Sequence, residues 1–182
     1  MVRSSPSDRL SGALFRLSPP PPFRGGFVVT LGEDGWPRRL RIAEENPAKT
    51  PDPPLLPPEH PLEDLFRRVL SGSVVYIGPL PAPIHPFDRE VLETIRRIPY
   101  GATVSYADVA RAIGRPKAAR AVGGALSRNP LPLLLPCHRV IRASGEEGGY
   151  SGGAGHKRRL LEWERARKRM TGESEVFRKN KD

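Results

Sequence analysis

Apolar rhythm along the chain comes and goes. Residues 1–9 are polar and lack it, and "SPPPPF" (residues 18–23) predicts an extended polyproline stretch. "GGFVVTL" and "RRLRIAEE" flank "GEDGWP", whose glycine, aspartate and proline are turn formers, so an antiparallel hairpin is predicted. Residues 47–61 hold too many prolines for a helix or a central strand. "LEDLFRRVLSG" then predicts a short helix ended by Gly72, and the proline-rich "GPLPAPIHP" (residues 78–86) marks a boundary between two units.

Beyond it the pattern sharpens. In "FDREVLETIRRIPYG", Phe87, Val91, Leu92, Ile95 and Ile98 form one helical stripe that Pro99 and Gly101 end. "SYADVARAIG" opens with Ser105 as N-cap and Asp108 three residues on, close to a capping box. Pro116 suits the first turn of another helix, "PKAARAVGGALSRN", running to about Arg128. Two short helices around a glycine-containing turn predict a helix-turn-helix. "LPLLL" and "HRVI" read as short buried strands, "GEEGGYSGG" as a glycine loop and "GHKRRLLEWERARKRM" as a final basic helix.

Charge follows the same division. Residues 1–86 hold 10 Lys and Arg against 9 Asp and Glu, a balance of +1, while residues 87–182 hold 20 against 11, a balance of +9. A basic surface confined to one half points to a polyanion, nucleic acid before anionic membrane, although a solvated basic face with a charged tail fits charge alone as well. No apolar stretch is long enough for a bilayer, and residues 1–17 lack the apolar core of a secretory signal, so a soluble, cytoplasmic protein is expected (nuclear in a eukaryote). A single cysteine excludes an internal disulfide and a multi-cysteine zinc cluster. His60 and His85 alone make a poor metal site, so no metal and no cofactor is expected. Glutamine is absent and asparagine occurs only at 46, 129 and 180, a profile resembling proteins of hot environments.

Two stretches carry candidate chemistry. The centre of the second helix, Ala118 to Ala125, is so small that it can lie against a minor groove with Arg120 as its single long probe. Close helix packing explains the same small residues slightly better on this stretch alone. The lone Cys137 lies in "NPLPLLLPCHRVI". A lone cysteine is more often an inert buried residue than a nucleophile, because reactivity needs a thiolate and a group that favours it. His138 is adjacent, but neighbours on a strand face opposite ways, so a kink or a bridging water has to bring the imidazole to the sulfur. An acid that orients the imidazole is also required, and spacing does not choose among Glu164, Glu162 and Glu146.

"PCHRV", preceded by "RAVGGALSRNP" and followed by "GYSGG" and "LLEWE", closely resembles the O6-alkylguanine-DNA alkyltransferase family over roughly residues 86–165. The resemblance implies an α+β protein: a small N-terminal α/β (ribonuclease H-like) domain over 1–80, a winged helix-turn-helix-like alkyltransferase domain over 81–170, and a basic tail over 171–182. It implies stoichiometric transfer of an alkyl group from O6-alkylguanine in double-stranded DNA to Cys137, once per molecule. His138 matches the base that takes the thiol proton through a water, and Glu164 the acid that orients it. Asn129 matches a hinge residue, and Tyr106 a tyrosine that touches the flipped nucleotide and donates a proton as guanine leaves. Arg120 matches the arginine that replaces the extruded base. Ser151 and the Tyr150 backbone match contacts to O6, the carbonyls of Cys137 and Val140 those to the guanine amine, and Pro132 and Tyr150 pocket walls. Arg115, Ala107, Ala119, Ala121, Gly123 and Ala143 fall on the DNA- or substrate-binding surface by the same match. A monomer is expected, with cooperative binding along DNA left open. The N-terminal half carries none of the family motifs.

Three other readings compete. A binder of damaged DNA that lacks transfer is argued against by Cys137. A winged-helix regulator with a structural cysteine predicts binding indifferent to alkylation. A thiol hydrolase predicts repeated turnover, which the thin second helix makes the weakest choice.

Overall fold

A computed structural model describes residues 14–17, 27–42, 53–149 and 155–171. In the first part, β1 (Leu14–Leu17), β2 (Phe27–Leu31) and β3 (Pro37–Ile42) form an antiparallel sheet in the order β1-β2-β3. The hairpin read from "GEDGWP" joins β2 to β3, with Val29 opposite Leu40. β1 pairs Phe15 with Val29 and has too few residues for its alternation to stand out in the sequence. Phe15, Leu17, Phe27, Val29, Leu31 and Leu40 are buried, and Phe66 of α1 (Pro61–Leu70) meets the Phe27 ring edge-on at 4.9 Å. The polyproline stretch and residues 43–52 lie outside the described residues.

Two histidines passed over as poor metal ligands turn out to start helices. His60 Nδ1 accepts from the Leu62 N–H at 3.2 Å, and His85 Nδ1 from the Phe87 N–H at 3.3 Å, each ahead of a proline at the first helical position. The His-Pro pair caps one orphan donor and presets φ. α2 (Pro86–Ile95) buries Val91, Leu92 and Ile95 as its stripe requires and ends one turn before Pro99; Ile98 is buried in the turn that follows.

α3 (Tyr106–Ala112) has the full capping box, with Ser105 and Asp108 bonding each other's backbone N–H. α4 is Ala119–Ser127, starting later than the expectation at Pro116, because 115–118 close a separate turn through the Ala118 N–H and the Arg115 carbonyl. The expected strands "LPLLL" and "HRVI" are corrected more deeply. Residues 132–135 form a turn closed by a Pro132–Leu135 bridge, with buried Leu133 at φ 78, and Cys137–Arg139 is one 3-10 turn. Only β5 (Val140–Ile141) remains extended, paired in parallel with β4 (Val104–Ser105). Pro136 ends the run and removes a ladder donor, which favours a turn over a strand. α5 (His156–Thr171) closes the described chain along the predicted basic helix.

One apolar cluster joins both parts, from Leu17 and Phe66 through Leu92 to Leu135 and Leu160. The Leu40 N–H also donates to the Pro130 carbonyl at 2.8 Å, tying the edge of the first sheet to the residue after Asn129. None of the described helices is long and apolar enough to cross a membrane.

Candidate active site

The 3-10 turn replaces the strand geometry that would face Cys137 and His138 opposite ways. It sets Cys137, 4% exposed, against Asn129, whose Nδ2 donates to Sγ at 3.1 Å and to the Leu135 carbonyl at 2.9 Å. Oδ1 of the same amide accepts from the Leu131 N–H at 3.0 Å. Asn129 thus spends its side chain on locking the end of α4 to the turn that carries the thiol.

On the other side of the turn, His138 Nε2 meets Glu164 Oε1 of α5 at 2.8 Å, which selects Glu164 over Glu162 and Glu146. His138 Nδ1 is buried with no hydrogen-bond partner among the described residues, leaving a ring nitrogen able to take a proton. Arg139 Nε and Nη2 donate to the Glu164 carboxylate at 2.8–3.2 Å, and Arg139 Nη1 donates to the Ile98 carbonyl at 2.7 Å. The Gly101 N–H adds a bond to Oε2 at 2.9 Å, from a backbone at φ 68 that glycine adopts without strain. Sequence reasoning passed over Arg139, because nothing in its place two residues after the thiol announces its burial.

Burial shapes the proton affinities. It pushes the Cys137 thiol up from its ordinary value, outweighing the Asn129 amide and the charge of Lys157. It holds the His138 imidazole below its ordinary value against the pull of Glu164. Burial works to raise Glu164 too, but the hydrogen bond and charge of His138 and the charge and hydrogen bonds of Arg139 hold it at about 2. The resting site is therefore a neutral thiol and a neutral imidazole backed by a carboxylate, so a base must act at the moment of attack.

Lys157 is a second residue the sequence reading missed. It is 2% exposed, donates to the Val140 carbonyl at 2.6 Å and lies 5.7 Å from the centre of the Tyr106 ring. Its charge favours the Cys137 thiolate, while burial holds its own proton affinity down. The Cys137 carbonyl likewise already accepts from the Val140 N–H, leaving one lone pair on each carbonyl expected to read a base. Tyr106 is half-buried between α4 and the glycine loop; a β-carbon at Gly148 would come within 3.0 Å of its hydroxyl and one at Gly123 within 3.8 Å of its ring.

The remaining expected residues differ in exposure. Arg120 and Ala121 are exposed on α4, and Arg120 pairs with no described residue. Ala119 and Gly123 are partly exposed on the same helix, Ala107 on α3, and Ala143 is exposed in the turn after β5. Arg115 is held by Glu90 at 3.0 Å and lies over the Phe87 ring at 5.3 Å. Pro132 is buried beside Asn129. Tyr150 and Ser151 lie outside the described residues. His156 is half-buried with Nδ1 shielded, and Trp163 is half-buried under Arg167. Among the described residues no group of three His, Cys, Asp or Glu side chains could hold a metal ion.

One 3-10 turn carries both a buried thiol and the imidazole of an imidazole–carboxylate pair, in a domain whose two short helices present an exposed arginine, and these features together define a protein built around a single cysteine and a basic helical surface. Residues 86–166 match the family model described as 6-O-methylguanine DNA methyltransferase, DNA binding domain. The methylated-DNA–protein-cysteine methyltransferase of Shigella flexneri is 44% identical over 105 residues, covering 57% of this chain and 61% of the relative. Those of Mus musculus and Methanothermobacter thermautotrophicus are 49% and 54% identical over 50% and 43% of this chain and 46% and 43% of their own. The chain therefore spans about half the length of the curated relatives it matches. Among solved structures, Mycobacterium tuberculosis OGT in complex with DNA is 34% identical with a TM-score of 0.67, over 85% of this chain and 94% of that one. The O6-methylguanine-DNA methyltransferase of Pyrococcus kodakaraensis, 24% identical with a TM-score of 0.62 over 84% and 98%, shares the fold. The chain belongs to the methylated-DNA–protein-cysteine methyltransferase family.

Proposed function

We propose that the protein repairs duplex DNA by moving the alkyl group of O6-alkylguanine onto Cys137, once per molecule. The observation that carries this reading is the pairing of the Asn129–Sγ contact at 3.1 Å with the His138–Glu164 contact at 2.8 Å on one 3-10 turn. His138 takes the thiol proton at Nδ1 through a water, and Glu164 steadies the imidazolium that forms. The sulfur attacks the alkyl carbon in line; the S–C bond forms as the C–O6 bond breaks, and the electron pair leaves with guanine. Tyr106 donates a proton to the departing base. The thioether has no leaving group that water can displace, so the molecule is consumed.

DNA enters as the partner through α3 and α4, which we read as a helix-turn-helix in a winged domain spanning residues 81–170. The preceding 1–80 form a ribonuclease H-like structural domain, and residues 171–182 a basic tail. The small residues of α4, Ala119, Ala121 and Gly123, let it approach the minor groove with Ala107, Arg115 and Ala143 alongside. Arg120 fills the gap left by the flipped nucleotide. Ser151 with the Tyr150 backbone holds O6, the carbonyls of Cys137 and Val140 read the amine, and Pro132 lines the pocket. The protein acts as a monomer in the cytoplasm.

Free O6-benzylguanine tests the chemistry without DNA. Guanine release should stop at one equivalent per protein and vanish in Cys137→Ala. Continued release past one equivalent would mark a hydrolase, and unchanged release in the variant would remove Cys137 from the reaction.

A further inference from the structure

A groove of about 1030 Å³ runs along the outer edge of β3, between the first sheet and the turn after α4. Leu40, Ile42, Pro83 and Pro132 give it apolar surface, and Arg38, Arg39, Arg41 and Arg128 give it charge. Its acid, Asp88, is fully engaged by Arg128, with Nε and Nη2 each at 2.7 Å from a carboxylate oxygen. Arg38 is engaged by Asp34 at 2.8 Å. Arg39 and Arg41 are exposed and form no ion pair with any described residue. Two positions apart on a strand, their side chains leave the same face about 7 Å from each other.

A concave, partly apolar surface with two uncommitted guanidinium groups is suited to a ligand that has both an apolar body and an anionic end. The position of the groove narrows the choice. It ends against Asn129 and Pro132, and the Asn129 amide nitrogen touches Sγ at 3.1 Å. In-line transfer puts the first carbon of an O6-substituent on that sulfur. Whatever is attached beyond that carbon has to extend past Asn129, and the groove, which Asn129 and Pro132 line, opens beside that residue. A methyl group stops short of the strand; a longer substituent reaches along it.

We propose that this groove is a subsite for the distal part of extended O6-substituents, and that Arg39 and Arg41 make it selective for substituents ending in a carboxylate or another anion. The proposal rests on the alkyltransferase reading above, and it assigns the β3 arginines to substrate choice and to no step of the transfer. Within the groove the two charges lie inside a Debye length of a bound substituent, about 10 Å at moderate salt, so they act on its charge directly.

Three free bases separate the outcomes: O6-benzylguanine, its para-carboxybenzyl analogue and its para-aminomethylbenzyl analogue, each followed by intact mass of the full chain at low salt. The wild type should be labelled by the carboxylate roughly tenfold faster than by the ammonium compound, with the neutral base between, the size expected of steering by two close charges. Arg39→Glu/Arg41→Glu should reverse that order, Arg39→Gln/Arg41→Gln should flatten it, and both should keep the benzyl rate within about twofold. An unchanged order in the variants, or equal slowing of all three bases, overturns the subsite. Loss of duplex affinity with the order of rates intact also overturns it, and assigns the arginines to the DNA backbone. Labelling by benzyl with no charge preference removes this site alone, whereas no labelling of the wild type by any base removes the transfer chemistry and the subsite with it.

Discussion

Glu164 joins three elements through one carboxylate, accepting from His138, Arg139 and the Gly101 N–H. Its proton affinity falls on folding, from 4.5 to about 2, so the stabilisation is complete above the unfolded value and drains as the pH drops from 4.5 toward 2. That amounts to about 3 kcal/mol in total, of which about 2 kcal/mol is gone at pH 3. Glu164→Gln should shrink the difference in unfolding free energy between pH 7 and pH 3 by that smaller amount in urea titrations. An unchanged difference would mean that the carboxylate is not held by its neighbours. Lys157 makes a contrasting prediction. Lys157→Met removes a buried charge, which leaves stability unchanged or improved, but it also removes the cation that favours the thiolate. Transfer from free O6-benzylguanine should slow by about tenfold with no fall in Tm, in line with loss of a charge close to a developing anion. A fall in Tm with an unchanged rate would make Lys157 a structural residue.

α4 is where a single helix has to do two jobs. Its buried side, Val122, Ala125 and Leu126, packs on α2 and α3, while Arg120 lies on the exposed side with no ion pair to a described residue. Arg120→Ala should weaken repair of an O6-methylguanine duplex by about a hundredfold or more, the scale of losing a group that offsets unstacking of a few kcal/mol, yet leave reaction with the free base unchanged. Equal losses on both substrates would show that Arg120 does not act on the duplex. Several elements were legible in the sequence because each has a local cause: α3 through the Ser105–Asp108 capping box, α2 through the Val91–Leu92–Ile95 stripe, the β2–β3 hairpin through the turn residues of 32–37. The turn that carries the thiol was not. Leu133 at φ 78 and the Asn129 side chain bonding across it are tertiary effects, and an apolar run like "LPLLL" reads equally as a strand. Cys137, His138, Asn129 and Glu164 were nevertheless legible together, through the motif resemblance. Arg139 and Lys157 were not, since a basic residue in a basic chain reads as surface until its burial is known.

For the whole molecule, the charge asymmetry is what the proposed encounter with DNA would rest on. With a balance of +9 over residues 87–182, binding should be carried by phosphate contacts and fall steeply with salt. A plot of log affinity against log salt should lose about 0.9 in slope for each phosphate-contacting Lys or Arg removed, and duplex affinity insensitive to salt would contradict a phosphate-led interface. The apolar cluster that runs from the first sheet to α5, with the Leu40–Pro130 bond, lets the N-terminal half brace the turn that holds the thiol.

All of these effects converge on one sulfur, and the most direct measurement is the intact mass of the protein after incubation with a duplex containing one O6-methylguanine. The protein should gain a single methyl group, located on the peptide that contains Cys137 and absent from Cys137→Ala. Restored guanine in the DNA with no change in the protein's mass, or a methyl group found on any other residue, would contradict it.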